Sequence, residues 1–145
     1  TLKKGSLKVK ADKLSSIDVT CLDVSEFTKE KEVLFNTYME YTLKQNGKII
    51  RRHSKLFTKQ KYFEFLKPRF TFDVKEENDK YVINVKSNVY AKSVKLEIKD
   101  SDCRFSDNYF DITSKEGVSV TVDKNEFESA EQIMKGISAI SVYNI

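Results

Sequence analysis

The sequence predicts an all-β protein built from sandwich-type sheets, and three observations carry that prediction. Apolar and polar residues alternate strictly in one segment after another, as in "SLKVKA" and "YVINVK", whereas no long segment sustains apolar residues at i, i+3, i+4 and i+7. Asn46-Gly47 stands between two alternating runs, the strongest short-range signal for a two-residue hairpin. Beyond Pro68, turn signals arrive about every 8–12 residues, the spacing of a β-sandwich.

Each element follows from its own residues. Leu7, Val9 and Ala11 alternate with lysines and predict a first strand, and Ile17, Val19 and Cys21 predict a second. Phe35, Thr37, Met39, Tyr41 and Leu43 then line one face of a long strand, closed by "LKQNGKII", in which Asn46 and Gly47 supply the positive φ angles of a type I′ turn. Ile49 to Phe57 is the return strand. Pro68, the only proline, cannot donate to a ladder and biases Lys67 toward extended geometry, so "FEFLKPRFTF" is a junction. After it come Phe70 to Lys75, a polar turn "EENDK", Tyr81 to Lys86, and Val94, Leu96 and Ile98 in phase; Phe105, Tyr109 to Ile112, Val118 to Val122 and Ile137 to Tyr143 complete a set of about seven strands.

The junction divides the chain in two. Residues 67–145 have the strands of a whole sandwich of roughly 100 residues or fewer, whereas residues 1–66 supply about four and read as the C-terminal part of another. A weak echo, "VTCLDVSEF" against "VTVDKNEF", supports two tandem units of similar plan, the first lacking its opening strands. Four strands with one apolar face persist only by packing on something else, so a second copy meeting residues 1–66 is an expected partner.

Composition narrows the function classes. The chain has 145 residues and a net charge of +4, placed unevenly: residues 1–66 carry 14 Lys/Arg against 8 Asp/Glu, residues 67–145 carry 12 against 14. The lysines of the basic half alternate with apolar residues as on a solvated strand face, which argues against a nucleic-acid interface. No apolar run approaches the ~18 residues of a membrane helix and no secretory core is present, so a soluble chain without membrane contact is expected. The start at Thr1 without Met is read as a processed or excised piece of something longer, with the compartment, cytoplasmic or extracellular, set by what lies upstream. Cys21 and Cys103 are far apart and in no metal spacing, and no Trp is present as an immunoglobulin-type bridge would expect, so two free thiols are predicted.

Candidate sites are few. His53, in "IIRRHSK", has no Ser or Cys nucleophile or carboxylate at a spacing suggestive of a triad and reads as a surface histidine. Gly5, Gly47, Gly117 and Gly136 are isolated, so no phosphate-cradling loop exists. Tyr38, Tyr62, Phe63, Phe65, Tyr90 and Tyr109 include a potential sugar-stacking platform, weighed against core and interdomain packing, which is preferred. Asp100 and Asp102, just upstream of "CRFSDNYFDITSKEGVSVTV", and Asp107 and Asp111 within it lack the central Gly and terminal Glu of a calcium loop. The preferred account is a corner: Asp107 and Asn108 turn the chain, Phe105 and Phe110 point inward, Ser106 caps locally, and Gly117 leads into Val118, Val120 and Val122.

The same stretch carries a family resemblance. "VYAKSVKLEIKDSDCRFSDNYFDITSKEGVSVTV" resembles the C-terminal immunoglobulin-like domain of glycoside hydrolase family 2 β-mannosidases, in which a strand, a "FSDNYFD"-like corner, a turn and a valine-rich strand follow in that order. "IDVTCLDVSEF", the "LKQNGKII" hairpin and "FLKPRFTF" resemble the latter part of the preceding sandwich and the junction; the turn after Ile112 departs, with "TSKEG" where a Leu-Pro-Gly type sequence is common. The resemblance implies an immunoglobulin-like β-sandwich, preceded by a partial one, in the region that follows the catalytic (β/α)₈ barrel of an enzyme hydrolysing terminal β-D-mannose residues with retention. Retaining chemistry uses two carboxyls ~5–5.5 Å apart, carried there by a pair of glutamates on the barrel. No catalytic, cofactor-binding or metal-ligating residue carries over onto this chain, and the barrel upstream is the implied partner. The other function class left open is a free-standing binding or adhesion module, with carbohydrate as one ligand class.

Overall fold

The computed structural model describes residues 1–113 and 115–145. Two antiparallel strands, β1 (Tyr38–Gln45) and β2 (Lys48–Leu56), form a separate hairpin. Asn46 and Gly47 have φ of 51° and 79°, both positive as a type I′ turn demands. A short helix α1 (Lys31–Asn36) precedes the hairpin. Phe35, expected to begin the strand, therefore lies in a helical turn.

The remainder is a sandwich of two three-stranded sheets. β3 (Phe70–Glu77), β4 (Lys80–Ser87) and β7 (Val118–Asp123) form one in the order β3-β4-β7; β5 (Ala91–Ile98), β6 (Phe110–Ile112) and β8 (Ile137–Ile140) form the other in the order β6-β5-β8. Alternation places Tyr81, Ile83 and Val85 of β4 and Val120 and Val122 of β7 inward, against Val94, Leu96 and Ile98 of β5 and Ile112 of β6. All are at most 5% exposed. Helix α2 (Ala130–Gly136) closes one end with the fully buried Ile133; Ser129 caps it by accepting from the Gln132 N–H. Phe105 and Phe110 are partly buried against this core, as the inward-pointing assignment expects. Gly117 is required where it stands, because a Cβ there would lie 2.3 Å from the Val85 carbonyl oxygen.

The "FSDNYFD" corner joins the sheets by side chains where ladders stop. β6 pairs only with the start of β5, at Ala91 and Val94. Further along β5, the Asn108 amide pairs with the Leu96 backbone: its Oδ1 accepts from Leu96 N at 2.8 Å and its Nδ2 donates to Leu96 O at 3.2 Å. Two residues earlier, Ser106 N donates to Thr121 O and Ser106 Oγ accepts from Thr121 N, both at 2.8 Å, on β7 of the opposite sheet. Ser106 thus bridges to a strand rather than capping locally.

Four strand expectations fail for want of partners or of length: Phe105 lies in the loop between β5 and β6, outside any strand, and three more follow. Residues 7–11 and 17–21 are not strands, and Leu7, Val9, Ile17 and Val19 are exposed, because alternation makes a strand only where another strand takes up its hydrogen bonds. The last expected strand ends at Ile140, and Val142–Asn144 is a 3₁₀ turn with a capping box from Ser141.

Asn108→Ala is expected to lower unfolding free energy by about 1–3 kcal/mol, since it orphans a buried donor and acceptor of Leu96. Asn108→Asp keeps the acceptor but turns a carboxylate toward the Leu96 carbonyl, and should be worse at neutral pH than in acid, where the carboxyl can donate. Urea unfolding at two pH values checks both; wild-type stability in Asn108→Ala would show that the corner is held elsewhere.

Candidate functional site: a polar and aromatic seam

The side chains that hydrogen-bonding and ring geometry gather most densely lie between the hairpin and the sandwich. The face of the hairpin turned to the sandwich carries Tyr38, Ser54 and Arg52, in phase with the buried Leu56 through the pairs Tyr38↔Leu56, Glu40↔Ser54 and Thr42↔Arg52. Met39, Tyr41 and Leu43, the apolar face legible in the sequence, point the other way.

Tyr38 stacks on Tyr90, which precedes β5, with centroids 4.0 Å apart and planes 16° from parallel. Phe63 and Phe65 of the junction pack beside Tyr90 at 5.8 and 6.1 Å, one edge-on and one stacked. Below the rings, Ser54 Oγ lies 2.6 Å from Tyr90 Oη and donates to Asp111 Oδ2. Lys92 Nζ reaches the same oxygen at 3.2 Å, and Asp111 Oδ1 accepts from Ser93 N at 2.8 Å. The Tyr38 hydroxyl donates to Thr113 O at 3.5 Å. Arg52 pairs with Glu116 at 3.3 Å and Glu40 at 3.8 Å, tying β2 to the turn before β7. Burial pushes the Tyr90 phenol well above its ordinary value, partly countered by the Ser54 hydrogen bond; the Tyr38 phenol is raised by burial and then by Glu40.

Chemically the seam is a lock. Asp111 already accepts from three donors, and Ser54, bonded to a tyrosine and a carboxylate, has no histidine beside it to act as a base. The other residues weighed from sequence lie apart. His53 stacks on Tyr41 at 5.6 Å on the outward face of the hairpin, its Nε2 accepting from Arg51 Nε at 3.3 Å. Tyr62 stacks on Phe35 under the Lys61 ammonium. Tyr109 stands exposed at the corner. Cys21 and Cys103 are free thiols, with Cys103 raised by burial. Asp100, Asp102, Asp107 and Asp111 do not converge: among the described residues no group of three or more His, Cys, Asp or Glu side chains could hold a metal. No described helix is long and apolar enough to cross a membrane. Sequence reasoning missed Ser54 and Lys92, and met Asp111 only as a metal ligand. The one signal was phase, since Arg52, Ser54 and Leu56 share the strand face opposite His53.

The two sheets, their shared core and the bridging corner define an immunoglobulin-like β-sandwich. Residues 65–145, more than half of the chain, match the mannosidase Ig-fold domain model, and the chain belongs to that family, found in glycoside hydrolase family 2 mannosidases. No curated protein matches the chain.

Because the Tyr90 phenol is raised in the folded state, its contribution to stability is full below the unfolded phenol value of ~10 and is lost as pH climbs through the folded one. Melting temperature should therefore fall steeply in alkali, and Tyr90→Phe should flatten that fall while costing the Ser54 bond, ~1 kcal/mol, at neutral pH. Thermal melts across an alkaline series check this; equal slopes in both proteins would remove Tyr90 from the account.

Proposed function

We propose that this chain is the non-catalytic C-terminal accessory region of a β-mannosidase that hydrolyses terminal β-D-mannose residues, its partner being the catalytic barrel of the same polypeptide. The observation that carries this reading is the match of residues 65–145 to the mannosidase Ig-fold domain. Residues 67–145 are proposed as the closing sandwich and residues 1–66 as the C-terminal part of the sandwich before it. In that role the seam fixes one sandwich on the next, and the carboxylates that do chemistry sit on the barrel.

The test has two arms. The chain alone, incubated with an aryl β-mannoside, should release no phenol above background after repurification; turnover that copurifies with it would overturn the accessory assignment. The upstream reading frame should encode a (β/α)₈ barrel with two glutamates at strand C-termini, and a frame without one would overturn the β-mannosidase assignment.

A second copy is also proposed as a partner, through residues 1–66. Tyr41 and Leu43 are each 52% exposed on the outward face of the hairpin, and among the described residues no further strand pairs with either hairpin edge. Because that half is basic, copies repel at low ionic strength, and salt should strengthen the association. Sedimentation at several protein concentrations and two salt concentrations should show a dimer favoured by salt. A monomer throughout would refute self-association.

A further inference from the structure

The two strands of the hairpin differ in charge, and the difference decides which edge can meet another copy. β2 holds Lys48, Arg51, Arg52 and Lys55 and no carboxylate, so pairing it with its own copy gathers cations with nothing to offset them. β1 holds one acid and one base, Glu40 and Lys44, four residues apart. Both are exposed, and Thr42 between them is partly so.

The backbone of β1 has an edge to offer. The two-residue turn makes Gln45 and Lys48 a hydrogen-bonded pair, and alternation from there turns the N–H and C=O groups of Lys44, Thr42 and Glu40 away from β2. Among the described residues no other segment takes them up. A two-fold axis perpendicular to a joined antiparallel sheet passes between one residue and its own copy. With Thr42 on that axis, Glu40 falls opposite Lys44 of the second copy and Tyr41 opposite its Leu43, each pair occurring twice. Tyr41 and Leu43, each 52% exposed, then occupy the non-hydrogen-bonded positions, where cross-strand side chains come closest. Moving the axis one residue loses the match. At Tyr41 it sets Glu40 against Thr42 and Lys44 against Tyr38; at Leu43 it sets Lys44 against Thr42 and Tyr41 against Gln45.

We propose that two copies join by antiparallel pairing of β1 with β1 about a two-fold axis at Thr42, giving a four-stranded sheet in the order β2-β1-β1-β2 with a Glu40–Lys44 ion pair on each side of the axis. This arrangement rests on the self-association proposed above and specifies its edge and register. In the joined sheet Tyr41 and Leu43 of both copies make one apolar strip, a cover that a two-stranded ribbon lacks. The basic β2 strands become the outer edges, where lysine and arginine oppose further strand addition, so assembly closes at two copies.

The test is sedimentation velocity of the full chain and its charge-reversed variants over a concentration series. Glu40→Lys and Lys44→Glu each set like charges opposite one another twice, and each should dimerise about tenfold more weakly than wild type. The double variant Glu40→Lys/Lys44→Glu restores both ion pairs and should return to within about threefold of wild type. Glu40→Lys/Lys48→Glu has the same net charge of +4 but leaves like charges opposed across the axis, and should stay as weak as Glu40→Lys. Both doubles lose the 3.8 Å contact of Glu40 to Arg52 within the chain, so that loss cannot produce a difference between them. A wild-type chain that remains monomeric overturns self-association and this arrangement with it. A wild-type dimer that the single reversals leave intact, that the Lys44 double fails to restore, or that both doubles restore equally overturns the β1 edge and its register alone, as does assembly that continues past two copies.

Discussion

The structure depends on how β5 is satisfied after its partner β6 ends. β6 is three residues long and meets β5 only at Ala91 and Val94, yet β5 continues to Ile98. On one side Lys95–Ile98 pair with β8; on the other, the buried Leu96 would present a donor and an acceptor to nothing. The Asn108 side chain carries the same amide as a peptide group and takes the place of the missing strand, while Ser101 N serves the Ile98 carbonyl. Ser106 does the corresponding work at Thr121 on the other sheet. A loop of eleven residues, 99–109, can therefore close the end of a sandwich without a strand of its own, and its solvent-facing positions are left open to choice.

That freedom explains the division of labour around the corner. Asn108 and Ser106 are committed to backbone, Phe105 and Phe110 to the core, and Asp111 to Ser93, Lys92 and Ser54. Tyr109 is the member with no internal task. The same corner thus reaches both the seam, through Asp111, and an open groove along the second half of β5, through Asn108, so a rigid β5 edge positions two surfaces on one sheet. The hairpin gains its order from the first of these. Two strands alone are marginal in water, and docking through a stacked tyrosine pair and a satisfied polar cluster supplies what a two-stranded ribbon lacks.

Much of this was legible. Alternation placed β3, β4, β5 and β7, Asn46-Gly47 placed the hairpin turn, and the inward positions of Phe105 and Phe110 followed from their flanking polar corner. Helix α2 was missed because seven residues hold too little periodicity, although Ser129 and Gln132 carry a capping signal: the serine accepts from Gln132 N, and the glutamine side chain reaches back to Glu128 N. The seam was illegible for a different reason. Tyr38, Ser54, Tyr90 and Asp111 are separated by up to 73 positions, and nothing in a local window says which face of a two-stranded ribbon will dock.

The contrast between two segments of the same pattern shows where sequence periodicity ends and cover begins. Tyr81, Ile83 and Val85 alternate as Leu7, Val9 and Ala11 do, yet the first three are at most 1% exposed and the others lie open. Period two fixes which side chains share a face; it does not supply the second sheet. What separates the segments is the polar half of the alternation. β4 carries Val82 and Asn84 between its core residues, whereas the N-terminal segment carries Lys8 and Lys10, and the outward face of the hairpin sets Arg51 and Lys55 beside Met39, Tyr41 and Leu43. Lysines on unpaired strands oppose indiscriminate sheet addition, because like charges must be brought together before any hydrogen bond forms. Period two and a basic polar half together therefore mark a face as apolar on one side and repulsive to like-charged surfaces on the other, with salt weakening that repulsion.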